Sequence, residues 1–275
     1  MPELQTPNLE AAVPAVEAIN LVRQFGDFVA VDNLNLTLRR GSFFGFLGPN
    51  GAGKSTTIKM LTGLLAPTSG TIRVLGRDIA QEALEVKRRI GVVPEDLNLF
   101  ERLTGAEMLI FTGRMYGLGK KEIAERSPEL LDLMELSDEP KKLIVEYSHG
   151  MKKKLSLACA LIHRPEILFL DEPFEGVDAI ASRTLKDLLS RLTARGLTVF
   201  LTSHVLEIVE RLCSDIAIIS QGKLLAAGSL DELRKGIRVD GEGQQQGPIS
   251  LEEYFIHVVG GDRSGSEEEV LQWLG

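Results

Sequence analysis

Gly48-Pro-Asn-Gly-Ala-Gly-Lys-Ser-Thr56 decides how this chain is read. Its glycines, Gly48, Gly51 and Gly53, let the backbone curl until successive N–H groups point inward at anionic oxygens. Lys54 then reaches the β- and γ-phosphates of a nucleotide, and Ser55 offers a hydroxyl to magnesium. Pro49, Asn50, Ala52 and Thr56 complete the same ATP-binding set. An apolar strand at Phe43–Leu47 precedes the loop and residues 55–64 follow it with helical periodicity. Strand, glycine loop, helix is the order a phosphate-binding loop requires, and the helix adds the positive end of its dipole. The bare pattern arises by chance in about one chain in a hundred of this length.

Outward from the loop, Val16–Phe25 and Phe28–Leu38 alternate apolar and polar residues, the pattern of half-exposed strands. Further strands are expected at residues 71–75 and 90–94, and buried ones at 167–170, 198–201 and 216–219, with helices between them. That alternation predicts a largely parallel sheet covered by helices. Residues 97–162 read as helical, with Thr104 and Glu107 in capping-box spacing. Ser127-Pro128 predicts a kink or a fresh helix start with Pro128 at its first position. Beyond residue 236 the chain is expected to run through a flexible linker at 241–248, a short helix capped by Ser250 and Glu253, and an acidic end.

Composition narrows the classes. The 275 residues are 44% hydrophobic and 25% charged, ordinary for a globular protein. A formal charge of -8 argues against nucleic acid as a partner. Cys159 and Cys213 lie in apolar helical patterns without metal-ligand spacing, so they are expected as core residues of a reducing compartment. The N-terminus lacks the pattern of a signal peptide, and no apolar run approaches the roughly 18 residues of a membrane span. The expected location is the cytoplasm, peripheral to the inner face of a membrane through a partner.

A second motif completes the chemistry. In residues 167–172 an apolar strand delivers Asp171 to the surroundings of magnesium and Glu172 to the attacking water as general base. Between the two motifs stands Tyr147-Ser148-His-Gly-Met151, just ahead of a helix, where Ser148 is a good N-cap. With these residues the chain resembles the ATP-binding subunit of an ABC transporter, over about residues 16–233. The resemblance implies an α/β P-loop NTPase core of ABC type over residues 16–235. It adds an N-terminal antiparallel β-subdomain, an inserted helical subdomain at about 97–162, and a C-terminal extension at 236–275.

The resemblance also assigns roles. Ser148 and Gly150 correspond to the family signature, which meets the γ-phosphate held by the opposite subunit. Asp178 in Glu175-Gly-Val-Asp178 corresponds to the aspartate that communicates across the dimer, His204 to the switch histidine, and Phe25 to an aromatic stacking on adenine. ATP and Mg2+ are the implied cofactors. The implied partners are a membrane-spanning subunit and a second ATP-binding subunit. Three residues depart from the family pattern: Glu95 replaces the magnesium-contacting glutamine, His149 a signature glycine, and Met151 the terminal glutamine, as in export-type members. The rival readings are a non-transport ABC ATPase of DNA repair or translation, and a catalytically slow regulatory subunit. His163 and His257 read as packing or surface residues, and Lys152-Lys-Lys154 as a solvated helix face.

Overall fold

The computed structural model describes residues 13–138, 140–236 and 250–260. The alternating stretches form β1 (Val16–Phe25) and β2 (Phe28–Leu38), an antiparallel hairpin whose last register pair is Phe25 with Phe28. After them β3 (Phe43–Leu47), buried along its whole length, runs into the glycine loop and α1 (Lys54–Leu61). The chain continues through β4 (Ser69–Val74), β5 (Arg77–Asp78), α2 (Ala83–Lys87) and β6 (Ile90–Val93). Strands β4 and β5 join the hairpin in a four-stranded antiparallel sheet of order β2-β1-β4-β5.

The helical stretch contains α3 (Gly105–Met115), α4 (Lys120–Leu133) and α5 (His149–Leu161). Thr104 caps α3 as its spacing predicts, accepting from Glu107 N while Glu107 Oε2 accepts from Thr104 N. Of the two outcomes expected at Ser127-Pro128, the fresh helix start is absent: α4 is one helix that runs through Pro128. Losing one backbone bond inside a helix is outweighed here by packing on both sides of it. Ile123 sits against Gly113 of α3 before the proline, and Leu130 and Leu131 pack on the core after it.

The core closes with β7 (Ile167–Asp171), α6 (Ala179–Ala194), β8 (Thr198–Ser203), α7 (Leu206–Leu212), β9 (Asp215–Ser220), β10 (Lys223–Ser229), α8 (Leu230–Gly236) and α9 (Leu251–Gly260). Six strands form a second sheet of order β10-β9-β3-β8-β7-β6, parallel except for β10. Strands β7 and β8 are buried throughout, as parallel strands covered on both faces must be. Alternate residues of β3 split between the faces. Phe44 and Phe46 meet Phe200, with ring centroids 5.7 and 5.5 Å away, in the core shared with α1 and the smaller sheet. Phe43 and Leu47 join the core under the helices.

Ser250 caps α9 as expected, with Glu253 in the return bond. Leu251 and Tyr254 are buried on the chain's own core, and Leu251 N donates to Glu210. The linker expected at 241–248 and the acidic end lie outside the described residues.

Candidate active site

The loop's glycines answer to close approaches. A Cβ on Gly48 would stand 2.3 Å from Ile219 O, and one on Gly53 would stand 2.5 Å from Ala30 O at a φ of 105°. From behind, the turn between β9 and β10 supports the loop: Gly222 N donates to Ala52 O while Gly222 O accepts from Asp32 N. Lys54 is buried and its ammonium turns into the loop, donating to Gly48 O at 2.8 Å and Pro49 O at 3.3 Å.

Strands β7 and β8 bring acidic groups to the same place. Asp171 pairs in register with Thr202, whose hydroxyl donates to Asp171 Oδ1 at 2.6 Å and accepts from Glu172 N at 3.0 Å. Both carboxylates are buried. Glu172 itself has a left-handed backbone, φ 45°. Its Oε1 lies 3.2 Å from Lys54 Nζ and 3.1 Å from His204 Nδ1, close enough for ion pairs although the angles fall short of hydrogen bonds. Ser203 Oγ accepts from Val205 N, which fixes the chain as it leaves β8 and presents His204, partly exposed. Glu95 follows β6, and Ser55 Oγ donates to its Oε2 at 3.4 Å.

Over these groups opens a cavity of about 340 Å³ with Asn50, Ala52, Ser55 and Thr56 in its floor. Phe28 and the carboxylates of Glu95, Glu172 and Glu175 complete its walls. Backbone amides, a buried ammonium and a helix N-terminus suit a polyphosphate. The donor set of one hydroxyl and neighbouring carboxylates suits Mg2+, which takes one or two protein ligands and shares phosphate oxygens. Among the described residues no group of three or more His, Cys, Asp or Glu could hold a metal ion.

Ser148, Gly150 and Asp178 gather elsewhere. Ser148 Oγ caps α5 by accepting from Met151 N, and Asp178 caps α6 by accepting from Ile180 N and Ala181 N. Gly150 packs against Asp178 and Ala181, where a Cβ would stand 3.3 Å from Asp178 Oδ2, and the His149 ring lies over Gly176. None of the three lines the cavity. Phe25 is also absent from its walls; its ring is half exposed with the Arg23 guanidinium 4.3 Å from its centroid. Phe28, its hairpin partner, stands there instead.

The lysine run departs from expectation. Lys152 pairs with Glu101, but Lys153 and Lys154 are buried, 2% and 7% exposed. Lys154 pairs with Glu135 at 2.5 Å. Lys153 Nζ donates to the backbone oxygens of Glu95 at 3.1 Å and Glu172 at 3.2 Å. Burial pulls its pKa below the usual lysine range, opposed by the carboxylates of Glu175, Glu95, Asp171 and Glu172. A run of like charges suggests a wet surface, yet Lys153 shares helical spacing with Gly150 and Leu157, which was the available signal. Thr202 and Glu175 were missed as site residues because the roles in their stretches went to His204 and Asp178, and Phe28 because it reads as a strand residue.

The remaining titratable groups fit packing roles. Burial pushes the Cys159 thiol up to about 11 and raises Cys213 as well, so neither is a ready nucleophile. His163 stacks on Tyr116 at 3.6 Å, and its Nε2 lies 2.9 Å from Ile90 O. His257 is exposed on α9.

Comparison with known proteins places this geometry among others. Residues 31–175 match the family model described as ABC transporter. The Nod factor export ATP-binding protein I of Cupriavidus metallidurans is 42% identical over 214 residues, 78% of this chain and 71% of the relative. The bacitracin transport ATP-binding protein of Bacillus licheniformis is 38% identical over 248 residues, 88% and 80%. A solved ATP-binding subunit of an ABC transporter superposes with TM-score 0.80 at 31% identity, covering 89% of this chain and 99% of that one. A dimeric ATP-binding cassette in a post-hydrolysis state, bound to ADP and Pi, gives TM-score 0.70 at 26% identity, covering 78% and 98%.

Proposed function

This chain belongs to the ABC transporter family as an ATP-binding subunit and ATPase, and on that premise we propose that it drives a separate membrane-spanning exporter subunit. The export and transport functions of the two relatives support the direction, as does Met151 in the signature position. Among the described residues no helix is long and apolar enough to cross a membrane; the membrane path is assigned to a partner on the strength of the relatives, which are ATP-binding proteins of export and transport. The docking face is placed on the helical stretch, where Phe100 and Phe111 make an exposed edge-to-face pair beside exposed Met115.

The amides of residues 48–56 and the Lys54 ammonium bind the phosphates of ATP. Ser55 and Asp171, with Glu95 beside Ser55, would hold Mg2+, which would supply charge neutralisation at the phosphates. Glu172 takes the proton of the attacking water, and His204 lies against the γ-phosphate. The observation carrying this reading is the Glu172 carboxylate, buried at the cavity between Lys54 and His204. Adenine is assigned to the β1–β2 hairpin, with Phe28 sharing the stacking role expected of Phe25. Ser148 is exposed in one chain and, with Gly150 packed beneath it against Asp178, completes the site of a second ATP-binding subunit.

Glu172→Gln is expected to keep ATP binding, accumulate an ATP-bound dimer and slow hydrolysis by about 10²–10⁴-fold, the scale of a general base. Unchanged steady-state turnover in that variant removes the assignment.

A further inference from the structure

A buried lysine is an expensive group to leave unused, and Lys153 has no part in the reading above. Its stem passes an apolar niche lined by Leu157, Leu170, Leu185 and Leu189. Its ammonium can only donate, and it spends two of its protons on main-chain oxygens of separate loops, those of Glu95 and Glu172. Neither loop belongs to its own helix. From one atom, therefore, α5 holds both segments that carry the acidic groups of the cavity.

The bond to Glu172 has a particular consequence. Glu172 is a non-glycine residue at φ 45°, a conformation that persists only where its surroundings over-determine it. Its N–H is taken by Thr202 Oγ1. Its carbonyl accepts from Glu175 N at 3.2 Å and from Lys153 Nζ. The peptide groups on either side of this residue are thus tied down, one from β8 and the other from α5, and the direction of its side chain follows. The same ammonium holds the Glu95 carbonyl, while the Glu95 carboxylate reaches Ser55.

We infer that Lys153 is a positioning residue for ATP hydrolysis, pinning the Glu172 backbone to the Glu95 loop so that the Glu172 carboxylate is aimed into the cavity. This rests on the reading of Glu172 as general base. Lys153 touches no part of the cavity floor, so it acts on the rate of the chemical step and leaves nucleotide affinity alone.

The test is a double-mutant cycle of Lys153→Met and Glu172→Gln in the full transporter complex, with ATPase kinetics, ATP-analogue binding and thermal unfolding measured for each variant. Lys153→Met is expected to lower kcat by about 10²-fold, the scale of a reacting group misplaced by an ångström, with KM for ATP within about twofold. The double variant is expected to be no slower than Glu172→Gln alone, because Lys153 acts through that residue. A kcat for Lys153→Met within about twofold of the parent overturns the inference, as does a full additive loss in the double variant. Should methionine prevent folding, Lys153→Leu, which also removes every N–H donor, takes its place in the cycle. Failure of the base reading would look different: Glu172→Gln itself would turn over normally.

Discussion

The loop ahead of α1 and the turn ahead of α5 are both helix starts that bare backbone N–H groups, and they differ in what faces them. The first is closed in by its own chain: Ile219 and Ala30 crowd its glycines, Gly222 holds it from behind, and Lys54, Glu172 and His204 meet above it. The second has its helix buried and its first residues bare. Ser148 and His149 are exposed, while Gly150 is packed on Asp178 and, one turn further in, Lys153 is locked to Glu95 and Glu172. One helix start is finished within a single chain. The other is rigid at its base and open at its tip, the form expected of a surface that meets a second molecule.

The most damaging way to probe the contrast is Lys54→Ala. Removing a preorganised charge from the closed loop should cut turnover by about 10²–10³-fold and weaken ATP binding by the isolated chain. Ser148→Arg attacks the open turn and should behave differently. ATP binding by the isolated chain stays the same, while turnover of the assembled complex falls by about tenfold or more, equivalent to about 1.4 kcal/mol or more. Equal loss of binding in both variants breaks the distinction. Glu95→Gln works between the regions, since Glu95 meets Ser55 through its carboxylate and Lys153 through its carbonyl. The Mg2+ concentration for half-maximal turnover is expected to rise about tenfold, the scale for a group that tunes a metal site. The backbone bond to Lys153 survives the substitution, so folding stability is unchanged.

The smallest effect concerns the far end of α5 and touches no chemistry. Burial holds the His163 pKa below its usual 6.5, with Arg126 adding to the shift and the Ile90 carbonyl opposing it. The unfolded chain takes up this proton first, so the histidine's contribution is complete above about pH 6.5. It is lost as pH falls through the depressed folded value, at no more than about 1.4 kcal/mol per pH unit. Urea unfolding of the parent and of His163→Gln at pH 7.5 and 5.5 should show the variant losing less. Parallel losses refute the assignment.

These two regions were also unequally legible in the sequence. The glycine loop could be read because each requirement is met by a residue type: glycine where backbones nearly touch, lysine and serine where phosphate and magnesium would sit. Asp171 and Glu172 were readable because an apolar strand ends on them. Around α5 the sequence misled. Three consecutive lysines look like a wet face, yet two are buried: Lys153 lies on the side of the helix that carries Gly150 and Leu157, and Lys154 is paired with Glu135. Their partners, Glu135, Glu95 and Glu172, come from distant segments that no local pattern announces. Pro128 does not begin a new helix, since tertiary packing carries α4 through it. Strand β10 went unread: its exposed and half-exposed residues resemble a loop, and only pairing with β9 makes it a strand.

The turn at Gln221-Gly222 has a practical meaning for anyone who wishes to label this protein. Tips of surface hairpins are normally the safest places to splice in a tag or a reporter. Here the tip leans on the segment beneath it: both backbone groups of Gly222 are bonded, to Ala52 and to Asp32, and a Cβ on it would press 2.9 Å from Ala30 O. An insertion there would be felt as a misshapen floor of the ATP cavity, so an innocuous-looking turn is among the worst sites for a fluorophore.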